Sequence, residues 1–79
     1  MPAEITYYKN GQLKKESWYE GGKLHRVNLP AEIIYYENGK VERESWYKGG
    51  KKYREGNLPD EIYYFATGNL RYKGGIILS

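Results

Sequence analysis

The chain has no cysteine in its 79 residues. This excludes a disulfide framework, thiolate chemistry and the cysteine-based zinc sites, and a reducing, cytoplasmic compartment is the simplest expectation. It has one histidine and three prolines. It also lacks any apolar run approaching the roughly 20 residues of a membrane helix, and its first residues carry no basic and apolar leader pattern, so no membrane insertion is expected. Ile, Leu, Val and Phe together number 15, too few for a conventional core. Charge of one sign is scarce as well: 13 Lys and Arg are interleaved with 10 Asp and Glu, for a net +3. That balance speaks first to solubility. A chain this short buries only about 60% of its unfolded surface, so it is expected to be one domain with a small core and no deep active-site cleft.

Aromatics and glycine fill the gap, with ten Tyr, two Trp and ten Gly. Six times an aromatic is followed three residues later by glycine, at Tyr8–Gly11, Tyr19–Gly22, Tyr36–Gly39, Tyr47–Gly50, Phe65–Gly68 and Tyr72–Gly75. The aromatic suits a pleated strand. The glycine suits the positive φ of a tight type I′ turn, which Asn-Gly (10–11, 38–39) and Gly-Gly (21–22, 49–50) signal most strongly. A longer unit is nearly duplicated: Pro2-Ala-Glu-Ile-Thr-Tyr-Tyr-Lys-Asn-Gly11 returns as Pro30-Ala-Glu-Ile-Ile-Tyr-Tyr-Glu-Asn-Gly39 and as Pro59-Asp-Glu-Ile-Tyr-Tyr-Phe-Ala-Thr-Gly68. The prolines are spaced 28 and then 29 residues apart. The repeat divides a single domain, 1–79, into units 1–27, 28–56 and 57–79. The last unit is cut short, because only Arg71 and Tyr72 stand between Leu70 and Lys73-Gly-Gly75.

The pattern predicts an all-β antiparallel meander of hairpins with little or no helix. Strands are expected near 3–9, 12–20, 23–27, 31–37, 40–48, 51–55, 60–66 and 69–73. Two-residue loops at every turn would set Tyr36 opposite Val41, Ile34 opposite Arg43, Tyr47 opposite Lys52 and Trp46 opposite Tyr53. Period-two alternation then gives one face Ile5, Tyr7, Trp18, Ile33, Tyr35, Trp46, Tyr53, Ile62 and Tyr64, with Glu16, Glu42 and Glu44. The other takes Tyr8, Leu13, Tyr19, Leu24, Ile34, Tyr36, Val41, Tyr47, Phe65 and Leu70, with Lys15, Arg26, Arg43, Lys52 and Arg54. Neither face is simply polar, so something is expected to cover one of them.

The Tyr-x-x-Gly hairpins, with Gly22-Lys-Leu-His-Arg26, Leu29-Pro-Ala-Glu-Ile33 and Tyr36-Glu-Asn-Gly-Lys40, resemble MORN-type repeats (membrane occupation and recognition nexus). More closely, they resemble the tyrosine-rich variant abundant in bacteria and large DNA viruses, some members of which are described as antitoxins. The resemblance spans nearly the whole chain. It implies a single-layer sheet of stacked hairpins without enzymatic activity, used for scaffolding, self-association or partner binding.

Internal copies test the candidate chemistry, because a position that changes type between units is a poor carrier of a shared mechanism. His25 becomes Tyr53 in the second unit, which argues against metal or acid–base work. Ser45-Trp-Tyr-Lys48 matches the Ser-x-x-Lys of serine acylases, but the first unit reads Ser17-Trp-Tyr-Glu20. Glu4, Glu32 and Glu61, like Glu16 and Glu44, recur once per unit, as cross-strand partners of Lys or Arg do. No glycine pair opens into a helix, so no phosphate-binding loop is present. No catalytic residue, cofactor or metal ligand is assigned.

Twelve Tyr and Trp rings exceed what one thin sheet hides, and such rings dominate protein interfaces. The sequence therefore predicts a non-enzymatic module that binds a larger protein and inhibits it stoichiometrically, as an antitoxin or an anti-defence protein such as an anti-CRISPR does. The expected contact set is Tyr8, Tyr19, Tyr36, Tyr47, Arg43, Lys52 and Arg54. One alternative is RNA or single-stranded DNA laid across a basic aromatic face that also includes Lys15, Lys48 and Lys51. The other is self-assembly, for instance a homodimer joined through Ile76, Ile77 and Leu78.

Overall fold

The computed structural model describes residues 4–56 and 58–74, with backbone alone for 72–74. Ten strands follow one another: β1 Glu4–Tyr7, β2 Leu13–Ser17, β3 Tyr19–Glu20, β4 Lys23–Leu24, β5 Glu32–Tyr35, β6 Val41–Ser45, β7 Tyr47–Lys48, β8 Lys51–Lys52, β9 Glu61–Tyr64 and β10 Leu70–Gly74. Every pairing is antiparallel. Six strands form one sheet in the order β1-β2-β5-β6-β9-β10, while β3-β4 and β7-β8 are separate two-stranded hairpins. The molecule measures 37 × 35 × 14 Å. Stacked sheets lie about 10 Å apart before their outer side chains are added, so a 14 Å slab is a single layer. The fold is the all-β hairpin meander that the repeats predict, and among the described residues there is no helix.

The turns are of two kinds, and only one matches expectation. At Gly-Gly both residues have positive φ, 60° at Gly49 and 86° at Gly50, and Lys48 pairs directly with Lys51. This is the two-residue type I′ loop. At Asn-Gly only the glycine is left-handed, with φ 89° at Gly39, while Asn38 is not among the positive-φ residues. The Gly39 N–H bonds the Tyr36 carbonyl at 3.0 Å and the Tyr36 N–H bonds the Lys40 carbonyl at 2.8 Å. That is a three-residue loop closed by a glycine bulge. Asparagine serves it through its side chain, since Asn38 Oδ1 accepts the Lys40 N–H at 2.9 Å and Asn10 Oδ1 the Gln12 N–H at 2.9 Å. This is the local bonding that favours Asn in turns.

The longer loop shifts the register, so Val41 lies opposite Tyr35 rather than Tyr36. A second irregularity at Glu42 then restores it, and Ile34 faces Arg43 as the two-residue loop would have had it. The first and third hairpins repeat the correction at Lys14 and Arg71. The two bulges cancel in the middle of the sheet, where Ile5, Glu16, Ile33, Glu44 and Ile62 form one continuous cross-strand row as expected. Between the bulges the assignment fails: Leu13, Val41 and Leu70 lie opposite Tyr7, Tyr35 and Tyr64, not on the other face.

The expected strands 12–20 and 40–48 each break at a tryptophan, Trp18 and Trp46. At this break the ladder continues through isolated bonds of 2.8 Å, from Trp18 N–H to Ala31 O, Ala31 N–H to Ser45 O and Trp46 N–H to Asp60 O. The buried residues Ser17, Pro30, Ala31, Ser45, Trp46 and Pro59 all belong to this band. It is the nearest thing to a core, and it is a seam across one sheet rather than a space between layers. Beyond it the small hairpins join each other, with Gly50 N–H on Leu24 O at 2.9 Å and Arg26 N–H on Tyr47 O at 3.3 Å.

The sixth aromatic-x-x-Gly begins inside a strand, and its Gly75 lies outside the described residues. Tyr72 lies within β10, and Gly74 pairs with Glu61, in the row where Ser17 and Ser45 stand. Register therefore equates Lys73 with Glu44, not with Lys48. Ile76, Ile77 and Leu78 lie outside the described residues.

Candidate partner surface

Much of the aromatic set is spent holding units together. The Tyr8 hydroxyl donates to the Tyr35 carbonyl at 2.6 Å, and the equivalent Tyr36 hydroxyl to the Tyr64 carbonyl at 2.7 Å. The Tyr35 hydroxyl donates to Glu16 at 2.7 Å and that of Tyr64 to Glu44 at 2.9 Å. Burial first, and the Glu16 carboxylate second, push the Tyr35 phenol up to about 12. Tyr64 is raised for the same two reasons. Tyr7, the first member of this series, is 62% exposed.

The expected contact residues do not share one environment. Tyr19 is exposed on β3 and Tyr47 half-buried on β7. Arg43 is bound to Glu32 at 2.7 Å and Lys52 to Glu61 at 2.7 Å, as Lys15 is to Glu4 at 3.1 Å. These pairs take Glu4, Glu32 and Glu61, the carboxylates that recur once per unit, and neutralise those three cations. Arg54 lies elsewhere. Its guanidinium stacks 3.8 Å from the Trp46 ring and donates to the Pro59 carbonyl at 3.1 Å. Arg26 does the same with Trp18 at 3.7 Å and Pro30 at 3.2 Å. Alternation had set both arginines across the sheet from the tryptophans. It fails because the chain leaves strand geometry after Leu24 and Lys52, where side-chain direction no longer follows a period of two. The recurrence of Trp and Arg eight residues apart, in Trp18/Arg26 and Trp46/Arg54, is the signal that could have found the pair.

Over Trp46 these elements leave a cleft of about 260 Å³. Its walls are the connector His25, Arg26, Val27 and Asn28 on one side and Tyr53, Arg54, Glu55 and Leu58 on the other, with Lys48 beside them. Val27 is 71% and Leu58 55% exposed. The Lys48 ammonium sits 5.2 Å from the Tyr53 ring. Asn28 holds φ 61°, the one positive value outside glycine among the described residues. His25 closes one end: its Nδ1 accepts the Gly49 N–H at 3.1 Å and its Nε2 lies 3.4 Å from Glu20. Its visible job is to bracket the next hairpin. Ser45 is 1% exposed, out of reach for a nucleophile. None of the apolar cleft residues except Trp46 and Tyr53 figured in the sequence reading of faces, because Val27 and Leu58 belong to connectors without periodicity.

No protein-family model, curated protein or solved structure matches the chain.

Proposed function

We propose that the chain is a non-enzymatic protein-binding module that acts as a small stoichiometric inhibitor of a larger partner, in the manner of an antitoxin or an anti-defence protein such as an anti-CRISPR. The observation that carries this reading is the exposure of apolar surface on a slab that lacks a second layer. Ile5, Tyr7, Tyr19, Val27, Leu29, Tyr53, Leu58, Phe65 and Leu70 are all more than two-fifths exposed. Three of them, Val27, Tyr53 and Leu58, line one cleft, and exposed apolar surface gathered in this way marks interaction sites. The MORN-like character of the repeat accords with this, since such sheets serve as contact surfaces. The absence of a recurring, reachable nucleophile or acid–base pair among the internal copies supports a binding role over catalysis. Three short units offer area for one partner, which favours occupation of a site over scaffolding. A nucleic-acid reading has less support, because Lys15, Arg43 and Lys52 are each matched by a glutamate.

Affinity capture from the native host, with nuclease treatment and mass spectrometry, tests the proposal. A protein retained after nuclease and eluting as a complex of fixed stoichiometry is expected. Capture that disappears with nuclease transfers the function to nucleic acid.

A further inference from the structure

We propose that the cleft between the two connectors binds an acidic segment of the partner protein through one bulky apolar side chain flanked by carboxylates. This rests on the protein-binding reading and specifies what that surface recognises.

Size limits the occupant first. At about 260 Å³ the cleft falls below the roughly 300–1,000 Å³ of small-molecule and cofactor sites, and it suits a side chain rather than a whole ligand. Its lining then sets the chemistry. Val27 and Leu58, from opposite connectors, and Tyr53 give the entrance apolar surface that water contacts directly. An apolar side chain inserted between them removes that surface from water.

Charge selects the flanks. Arg26, Lys48 and Arg54 line the cleft against a single carboxylate, Glu55, and none of the three cations has an ion-pair partner among the described residues. The two arginines are already oriented. Each lies flat on a tryptophan and gives one donor to a proline carbonyl. A guanidinium has five donors in a fixed fork, so a carboxylate meets a planar, pre-positioned partner, the arrangement in which Arg discriminates best. A phosphate backbone fits less well, since it needs a run of free cations, while this cleft has three, and its two large rings, Trp46 and Tyr53, already carry Arg54 and Lys48, which leaves less open ring for base stacking.

The test uses the full chain. Random dodecapeptides displayed on phage are selected on the wild-type protein, and on Lys48→Glu and Leu58→Ser, two exposed positions whose substitution leaves the Trp–Arg stacks intact. Enriched peptides are expected to carry a bulky apolar residue with Asp or Glu on either side. A labelled enriched peptide should bind each variant about 30-fold more weakly, the loss typical of an interface anchor, with the melting temperature unchanged. Enrichment of basic or uncharged peptides overturns the proposal, as does equal binding to wild type and both variants. So does a labelled oligouridine that binds wild type and is lost in both variants while the peptides do not bind. The two readings separate cleanly: a captured host protein that binds both variants as tightly as wild type removes the cleft proposal and leaves the module, whereas failure to capture any protein counts against the module itself.

Discussion

Where the first unit meets the second, Tyr8 donates to the carbonyl of Tyr35, Tyr35 to Glu16, and Arg26 lies between Trp18 and Pro30 O. Where the second meets the third, Tyr36, Tyr64, Glu44, Arg54, Trp46 and Pro59 make the same bonds within a few tenths of an ångström. The connectors that end these units are not alike. The first reads Arg26-Val-Asn-Leu-Pro30 and the second Arg54-Glu-Gly-Asn-Leu-Pro59, one residue longer. The arginine-to-proline bond spans four residues in one and five in the other, and each connector turns through a left-handed residue, Asn28 at φ 61° and Gly56 at φ 72°. The insertion behind the change in repeat length from 28 to 29 residues is thus absorbed beside the cleft, while the ladder is untouched. What repeats holds the sheet; what varies lines the cleft.

That contrast can be broken at several points, taken here from the largest effect down. Trp46 is 7% exposed and Trp18 only half-buried. Trp46→Ala is therefore expected to cost about 3–5 kcal/mol, enough to unfold a domain this small, and Trp18→Ala clearly less. Thermal melts followed by circular dichroism check the order, and equal losses would mean the seam is not centred on the second unit.

Next, a Cβ at Gly22 meets nothing within 4 Å, whereas at Gly50 it meets the Lys23 Cβ at 3.4 Å. Alanine at either is strained by about 1–2 kcal/mol through positive φ alone. Gly50→Ala should melt slightly above Gly22→Ala, because its added methyl gains ordinary van der Waals contact with the Lys23 side chain of the neighbouring hairpin. Identical melting temperatures would show that the small hairpins do not touch each other.

Tyr8→Phe and Tyr36→Phe should each lose about 1 kcal/mol, and by the same amount within error, since the two bonds are equivalent. Denaturant midpoints that differ widely would deny the equivalence of the junctions.

The alkaline limit follows from the same contacts. The Tyr35 phenol is held at about 12 against 10.0 when free, so the folded state keeps a proton that the unfolded state loses. Its contribution is full below pH 10 and falls as pH climbs toward 12. Hydrogen bonds to Glu4 and Glu61 likewise raise Lys15 and Lys52, whose contributions are also lost as pH rises through their folded values. Tyr35→Phe should flatten the loss of stability across that window in a pH titration of the melt. Smallest of all, His25→Ala should shift stability by no more than about 0.5 kcal/mol, because the Gly49 N–H it releases is open to water.

Five of the six hairpin turns and the central face were legible because aromatic-x-x-Gly spacing and period-two alternation act locally. The Asn-Gly loop misled because its asparagine works as a side-chain acceptor at Lys40 N rather than as a left-handed residue, which the dipeptide alone does not distinguish. The alternation still held at Ile34 and Arg43, since one bulge undid the other. The candidate surface was half legible. Arg54 stands in the expected contact set and Lys48 in its nucleic-acid alternative, but Val27 and Leu58 acquire meaning only when two connectors from different units face each other, and no local pattern encodes that approach. Tyr8 and Tyr36 look like free interface rings in the sequence, yet their hydroxyls are consumed between neighbouring units.

The most direct test of the division between a repeated frame and variable connectors is amide hydrogen exchange on the complex with the captured partner, compared with the free chain. Slower exchange is predicted at His25–Asn28 and at 53–58, with little change in β1, β2 and the Asn-Gly turns. Protection confined to β1 and β2, with both connectors exchanging as fast as in the free chain, would contradict it.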